Sequence, residues 1–148
     1  MSKNDFTIGW LSSQTNCKVQ TIRYYEQIGL MPEPPRSAGN RRLYDTKHVE
    51  QLAFIRHSRQ LGFSLDAIRS LLSLVSHPDQ TCEAATDIAQ VQLKEVESRI
   101  ERLQAMKGEL QRMVKECRGG RVSECRVIEV LADHNKCLHT NHTSPENT

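Results

Sequence analysis

The stretch between Cys82 and Cys117 constrains the fold of this chain most, because it contains no proline and a single glycine, Gly108. Apolar residues recur along it in alternating steps of four and three, which is the spacing of a coiled-coil seam. The alternative is an amphipathic helix packed on its own domain, but a chain of 148 residues has little else to cover so long a stripe. We therefore predict a homodimer through a long helix. The stripe consists of Ala89, Leu93, Val96, Ile100, Leu103, Lys107, Leu110 and Val114.

The cysteines at the two ends of this stretch share the register of the stripe. Cys82, in the first turn of the predicted helix, and Cys117 lie five whole heptads apart, or about 52 Å at ~1.5 Å per residue, so one chain cannot bring them to one metal ion. An antiparallel partner would place its Cys82 beside Cys117, and Cys125 can fold back to the same point. Three thiolates suit a divalent ion such as Zn, Cd, Pb or Hg. The other interpretation is that both are small seam residues, since cysteine is often buried.

The composition changes sharply along the chain. All seven aromatic residues lie in the first 63 positions, and residues 1–62 carry nine Lys/Arg against five Asp/Glu. This is typical of a basic globular module joined to a long helix. No apolar run reaches membrane-spanning length and no signal peptide is visible, so we expect a cytoplasmic protein with reduced cysteines and no membrane partner. No nucleophile–base set and no phosphate-binding glycine loop is present, so we do not expect an enzyme.

The basic module has the helix start and stop signals of a helix-turn-helix. Thr7 can cap a short helix that ends near Gln14, and a second helix, Val19 to Gln27, is stopped by Gly29. Residues 31–42 contain three prolines and a Gly-Asn turn, which predicts a hairpin-like wing.

Further helices follow the wing. Asp45 can cap a helix over residues 46–61, and Ser64 can start another that ends before His77-Pro78. The predicted fold is mainly α: a winged helix-turn-helix, a long dimerisation helix in an antiparallel coiled coil, and a short C-terminal metal-binding loop and helix. The predicted divisions are 1–75 for the DNA-binding domain with its connecting helices, 76–117 for loop and dimerisation helix, 118–133 for metal-binding loop and short helix, and 134–148 for a disordered tail.

Candidate DNA-binding residues cluster in the second helix and the wing. Side chains at the start of a recognition helix read base edges, whereas arginine and tyrosine commonly contact phosphates. The alternative is a solvated basic face with tyrosines in the core, and it applies to one of Tyr24 and Tyr25. The candidates are Gln20 and Thr21 for bases, and Arg23, Tyr24, Arg41, Arg42, Tyr44 and Arg56 for the backbone of double-stranded DNA.

The remaining cysteines and histidines carry weaker signals. Cys17 falls in the turn of the helix-turn-helix, where a packed small residue is the expected role. His77, five residues before Cys82, and the terminal Cys137 and His139 are possible accessory metal ligands, although a solvated loop and a tail explain them as well.

Several strings in this order resemble the MerR family of transcription regulators, over about residues 6–131. They are Thr7-Ile8-Gly9, Thr21-Ile22-Arg23-Tyr24-Tyr25-Glu26, Gly29-Leu30, Arg42-Leu43-Tyr44, Phe54-Ile55-Arg56 and Leu61-Gly62-Phe63-Ser64-Leu65. The resemblance implies a dimer that binds a promoter, distorts its DNA when metal binds and so realigns the promoter elements for RNA polymerase. It also implies that the regulated genes serve heavy-metal efflux or resistance.

Within that family, a cysteine at the position of Cys82 marks sensors of divalent ions. Together with Cys117 and Cys125 it matches the mercury, cadmium/lead and zinc branch. Zinc sensors of this type often have two adjacent cysteines at the loop start, whereas Arg118 follows Cys117 here, which favours cadmium, lead or mercury. The eight-residue step from Cys117 to Cys125 is associated with copper sensors. A monovalent copper or silver sensor that uses Cys117 and Cys125 alone is therefore one alternative. A redox-sensing regulator is another, although the cysteine spacing argues against a compact iron–sulfur cluster site, because no two cysteines are closer than eight residues.

Overall fold

The computed structural model describes residues 5–117 and 119–137 of the chain. The predicted mainly α fold is confirmed. The chain divides into two compact units, residues 1–89 and 90–148, which are described separately below. Within the described ranges, no helix is long and apolar enough to cross a membrane. The helices are α1 Ile8–Thr15, α2 Val19–Gln27, α3 Thr46–Gln60, α4 Leu65–Val75, α5 Glu83–Glu116 and α6 Arg126–Ala132, and short 3-10 turns span Val122–Glu124 and His134–Lys136.

The predicted helix starts are confirmed by side chains that accept hydrogen bonds from free backbone amides. The Thr7 hydroxyl accepts from the amide of Trp10, and the Ser64 hydroxyl accepts from the amide of Ala67, each at 3.1 Å. The Asp45 carboxylate accepts from the amides of Lys47 and His48 at the start of α3. Such caps satisfy donors that have no partner within the helix, and each contributes about 1 kcal/mol.

The predicted wing is a short hairpin between α2 and α3. Phe6 pairs with Tyr44 and Arg36 pairs with Arg42 in antiparallel bridges. The amide of Ser37 donates to the carbonyl of Arg41 at 2.8 Å, which closes the tip of the hairpin. The hairpin thus carries its arginines on a short, hydrogen-bonded arm.

The core of the first unit is built by one apolar face from each of its short helices. Leu11 of α1, Ile22 of α2, Leu52 and Ile55 of α3, and Ile68 of α4 are fully buried. Full burial of such a side chain stabilises the fold by about 1.5–3 kcal/mol. The same core includes Cys17, which confirms its expected role as a packed small residue. Burial raises the pKa of this thiol, and the nearby charge of Arg56 opposes that shift.

Tyr44 lies in this core, which corrects its prediction as a DNA contact. Its side chain is 1% exposed, because the strand pairing with Phe6 turns the ring inward. Its hydroxyl donates to the Glu26 carboxylate at 2.6 Å, and Arg42 forms an ion pair with the same carboxylate at 3.4 Å. Burial and the hydrogen bond to Glu26 raise the pKa of Tyr44, so the phenol remains a proton donor. Glu26 of α2 thereby holds two residues of the wing.

Tyr44→Phe is expected to lower the free energy of unfolding by about 1.5–3 kcal/mol, because a buried carboxylate loses a hydrogen-bond donor. Urea denaturation at one fixed subunit concentration measures the change. Tyr24→Phe removes the same hydroxyl from an exposed ring of α2 and is expected to change stability by less than about 0.5 kcal/mol. Equal midpoints for the two variants would contradict the structural role of the Tyr44–Glu26 bond.

In the second unit, the C-terminal part of α5 packs against α6. Met113 of α5 and Val130 of α6 are buried, and so is the carboxylate of Glu109, which pairs with Arg112 at 3.0 Å. Arg112 also donates to the backbone carbonyl of Lys136 at 2.6 Å. The turn His134–Lys136 is therefore bound to the helices, which corrects the prediction that a disordered tail begins at residue 134. The rest of that predicted tail, including His139, lies outside the described residues.

Candidate metal centre and nucleic-acid interface

Cys117 and Cys125 meet at the end of α5. Cys117 follows the last residue of the helix, and Cys125 is the residue before α6. Their Sγ atoms lie 3.6 Å apart, and both cysteines are free and half-buried. Gly119 and Gly120, with φ of 82° and 103°, turn the chain between them in a region that favours glycine. Two sulfurs bound tetrahedrally to one zinc ion at about 2.3 Å stand about 3.8 Å apart, so the pair fits a shared soft metal ion.

The environment of Cys125 favours its thiolate. The backbone amide of Ile128 and the thiol of Cys117 lower the pKa of Cys125, burial opposes this shift, and the amide of Val127 adds to it. The thiolate is the form that binds metals and attacks electrophiles. Cys125 is therefore prepared for metal capture by the first turn of α6.

The lowered pKa of Cys125 predicts an altered pH dependence of alkylation in the metal-free protein. The pH of half-maximal reaction with iodoacetamide should lie below that of Cys125 in the urea-unfolded chain, since a lowered pKa keeps the thiolate populated at lower pH. Peptide mapping by mass spectrometry measures each cysteine separately. Cys117→Ala should return part of the shift, because the Cys117 thiol is one of its causes. Identical pH midpoints in the folded and unfolded chains would exclude this activation.

Cys82 lies at the opposite end of α5. It occupies the position just before Glu83, and its carbonyl accepts from the amide of Thr86 at 2.9 Å. Cys82 is thus the capping position and not a member of the first turn, which corrects the predicted location by one residue. The residue is exposed, and it lines a cavity of about 280 Å³ together with Phe54, Leu71, Leu74 and His77. Its side chain is accessible to a group from outside the chain.

Of the predicted accessory ligands, His77 lines the cavity of Cys82, and Cys137 lines another one. The Nδ1 atom of His77 donates to the carbonyl of Ser73 at 2.9 Å. Cys137 lines a different, mostly apolar cavity with Met106, Met113 and Val130. Within residues 5–117 and 119–137, no group of three His, Cys, Asp or Glu side chains of one chain is placed to hold a metal ion. His139 lies outside the described residues.

The apolar stripe of α5 faces solvent in the single chain. Its large members, from Leu93 to Val114, are between 37% and 72% exposed. Contiguous exposed apolar surface of this kind marks an interaction site in a soluble protein. The stripe has the same heptad register as Cys82 and Cys117. The apolar stripe that would receive a partner helix is therefore flanked in sequence by Cys82 before it and Cys117 after it.

Arginines of α2 and the wing line one cleft of about 520 Å³ in the first unit. The predicted Arg23, Arg41 and Arg42 are brought together there, and Arg36 joins them. Sequence reasoning missed Arg36, although its place in a basic, proline-rich wing was the signal that could have found it. Arg23 and Arg41 are exposed, whereas the guanidinium of Arg42 pairs with Glu26 and that of Arg36 donates to the carbonyl of Asn40 at 3.2 Å. Arginine side chains on one concave surface suit phosphate oxygens, which arginine binds in a bidentate geometry.

The other predicted DNA contacts divide into two groups. Gln20 is exposed, Thr21 is half-buried near the start of α2, and Tyr24 is 47% exposed, so these side chains are available on the helix. Tyr24 is exposed while Tyr25 is half-buried against the core, in line with the prediction that the two adjacent rings differ. Arg56 is half-buried and donates to the carbonyl of Thr15, so its guanidinium holds the end of α1 within the fold, and its phosphate contact stays a prediction.

The fold and the arginine cleft define a helix-turn-helix DNA-binding regulator with a cysteine pair at the end of a long helix. Residues 6–74 match the profile described as MerR HTH family regulatory protein, and residues 49–113 match the one described as MerR, DNA binding. The chain belongs to the MerR family of transcription regulators.

Relatives that match nearly their whole length agree with this assignment. The HTH-type transcriptional regulator ZntR of Escherichia coli (strain K12) is 43% identical over 129 residues, 85% of this chain and 92% of that protein. PbrR691 of Ralstonia metallidurans CH34, solved in complex with lead(II), is 37% identical with a TM-score of 0.74, over 85% of this chain and 98% of that chain. MerR of Bacillus megaterium MB1, solved in complex with a mercury(II) ion, is 30% identical with a TM-score of 0.63, over 86% and 99% of the two chains. These relatives are transcription regulators and not enzymes.

Proposed function

We propose that this protein is a metal-responsive transcription activator that binds promoter DNA as a homodimer and responds to a divalent thiophilic ion. The observation that carries the proposal is the Cys117–Cys125 pair, with its sulfurs 3.6 Å apart at one end of a helix whose other end presents the exposed Cys82. The protein would act in the cytoplasm, where thiols stay reduced. Its regulated genes would serve heavy-metal efflux or resistance.

The proposed coordination is three thiolates from two chains. Cys117 and Cys125 of one subunit provide two sulfurs, and an antiparallel α5 of the second subunit brings its Cys82 to the same place. The heptad register supports this arrangement, because Cys82 and Cys117 occupy equivalent seam positions at opposite ends of the stripe. A twofold axis then makes two identical sites. The exposed stripe of α5 supplies the surface that would be buried between the subunits.

The DNA-binding half of the proposal rests on the arginine cleft and on α2. The start of α2 would enter the major groove with Gln20 and Thr21, while Arg23, Arg36, Arg41 and Arg42 would hold the phosphates. Glu26 fixes the wing to α2 through Tyr44 and Arg42, so both parts would meet DNA as one body. Metal binding would favour one of two protein–DNA geometries, and the cost of deforming the promoter would depend on that choice. The distorted promoter would then be competent for RNA polymerase.

The effector would be Cd, Pb, Hg or Zn. Lead(II) and mercury(II) complexes of two relatives support a soft divalent ion. Three thiolates suit such ions, and availability in the cell decides among them. A second candidate is a monovalent copper or silver sensor, which is favoured by one observation: Cys117 and Cys125 already form a two-sulfur site within a single chain.

In vitro transcription from the protein's own upstream promoter, with Cu(I), Zn, Cd, Pb and Hg added separately, tests the proposal. Activation by at least one divalent ion, together with footprinting of the homodimer on a twofold-symmetric site, is the expected result. Activation by Cu(I) alone would favour the two-cysteine sensor. Promoter binding without a response to any metal would refute the sensor role while leaving the DNA-binding role intact.

A further inference from the structure

An ion pair closes the loop that carries Cys117 and Cys125. Glu116, the last residue of α5, accepts from Arg126, the first residue of α6, with 2.7 Å between Oε2 and Nε. Each partner is the immediate chain neighbour of one cysteine. We propose that Glu116 and Arg126 are a positioning pair, which holds the two sulfurs at the separation needed to share a soft metal ion. This inference rests on the proposed metal-binding function.

The guanidinium of Arg126 is held from a second side as well. Its other contact is with the carboxylate of Glu129, one turn further along α6, at 3.3 Å. Glu129 in turn accepts from the ammonium group of Lys136 at 2.6 Å. Lys136 belongs to the turn that Arg112 of α5 holds through its backbone carbonyl. The Glu116–Arg126 pair is therefore connected, through these contacts, to both helices of the second unit and to the turn after α6.

The loop needs such a constraint because of its own sequence. Gly119 and Gly120 give the backbone between the cysteines more freedom than other residues would. A loop that must order itself around a metal loses that freedom on binding, whereas an ordered loop has already lost it. The two ends of the loop meet through the Glu116–Arg126 pair and through the two sulfurs. Without the ion pair, the distance between the two sulfur atoms would vary over a wider range.

A second role for Arg126 would produce a similar loss of metal affinity. Its positive charge lies one residue from Cys125 and could stabilise a negatively charged thiolate site directly. A positioning role and a charge role differ in a reaction without metal. In the exchange of two thiols with oxidised glutathione, an S–S bond forms between Cys117 and Cys125, the glutathione disulfide is reduced, and two glutathione thiols are released. The disulfide is neutral, and a cation that stabilises a reduced thiolate opposes its formation, so only the positioning role predicts that breaking the ion pair lowers the equilibrium constant.

The experiment uses the full-length protein and four variants. Arg126→Ala and Glu116→Gln each break the pair, and the double charge swap Glu116→Arg with Arg126→Glu restores it with reversed charges. Arg121→Ala removes the same charge from an exposed residue of the same loop and is the control. Cadmium affinity is measured by the thiolate-to-metal absorption band, and the Cys117–Cys125 disulfide is quantified by peptide mapping in glutathione buffers without metal.

Breaking the pair is expected to lower cadmium affinity about tenfold, the low end of the loss when a group that supports a metal ligand is removed, and to lower the disulfide equilibrium constant in parallel. The control should match the wild type, and the charge swap should recover most of both quantities. A fall in cadmium affinity with an unchanged or higher disulfide equilibrium constant would overturn the positioning role in favour of a charge effect. Unchanged values of both would overturn it as well. If the wild type binds no cadmium, the proposed metal function fails, and the disulfide equilibrium alone decides whether the pair positions the cysteines.

Discussion

Replacing Cys82 with serine is expected to abolish transcription activation by divalent ions and to lower cadmium affinity by more than about 100-fold, since losing a group that only hydrogen-bonds to a metal ligand already costs about 10–100-fold. The reason is that Cys117 and Cys125 supply two thiolates within one chain, and the exposed Cys82 is the candidate for the third. Metal titration followed by thiolate absorption, together with in vitro transcription, measures both effects. Cys137→Ser is the control, because Cys137 lines a separate cavity of the second unit.

Mixed dimers test whether the third thiolate comes from the partner. Cys82→Ser and Cys117→Ser subunits each lack one ligand and should be inactive as homodimers. When they are unfolded, mixed and refolded together, each heterodimer regains one complete site, formed by Cys82 of one subunit and Cys117 with Cys125 of the other. Random pairing then restores about one quarter of the wild-type metal per subunit, as expected for a twofold-symmetric dimer with two equivalent sites. No restored binding in the mixture would contradict a site shared between chains. Copper activation that survives in Cys82→Ser would point to the two-cysteine sensor.

Ile100→Glu is expected to weaken dimerisation by at least about 1,000-fold, because like charges facing each other across an interface cost several kcal/mol. Ile100 lies next to the midpoint between Cys82 and Cys117, so an antiparallel partner would bring the two substituted residues together at the twofold axis. The side chain is 48% exposed in the single chain and is not among the buried core residues of the described ranges. The fold of each subunit should therefore survive the substitution. Analytical ultracentrifugation over a range of concentrations measures the dissociation constant.

Ser98→Glu is the matched control for this variant. It adds the same charge to α5 two residues away, at an exposed position outside the heptad stripe. Ile100 and Ser98 are two residues apart and therefore differ by about 200° around the helix axis, so the carboxylate added at position 98 would face solvent in the dimer. An Ile100→Glu protein that dimerises as tightly as Ser98→Glu would refute a partner along this seam. Loss of promoter binding in Ile100→Glu alone would link the dimer to DNA recognition.

The features that could be predicted from the sequence depend on residues close together in the chain. The bounds of α2, Val19–Gln27, are those predicted, and Thr7 and Asp45 cap their helices as expected. A cap needs an oxygen within three residues of the amides it satisfies, so the signal is local. The meeting of Cys117 with Cys125 was also foreseen, because a glycine pair between two cysteines permits a tight return of the chain. The third thiolate stays a prediction, since it requires a second chain.

The features that the sequence did not reveal are contacts between distant segments. Tyr44 was assigned to DNA because a tyrosine beside two arginines resembles a phosphate site, but its partner Glu26 lies 18 residues away and only the folded wing brings them together. Arg56 binds the carbonyl of Thr15 across 41 residues for the same reason. The contact of Arg112 with the carbonyl of Lys136 spans 24 residues and orders a turn whose polar composition suggested disorder. Side-chain type predicts such a residue's chemistry, whereas tertiary packing decides where that chemistry is used.

The solvent-facing stripe of α5 also has a consequence for how much of this regulator a cell can keep. If the stripe is covered only by a second copy, dilution separates the subunits. The melting temperature is then lower in dilute than in concentrated protein. A separated subunit exposes a long apolar helix surface, which is the kind of surface that chaperones and proteases act on. Subunits made in excess of what can pair would be removed, and scarce subunits would be the least stable. The abundance of the regulator and its lifetime are then coupled through α5, the same helix that has Cys82 at its start and Cys117 at its end.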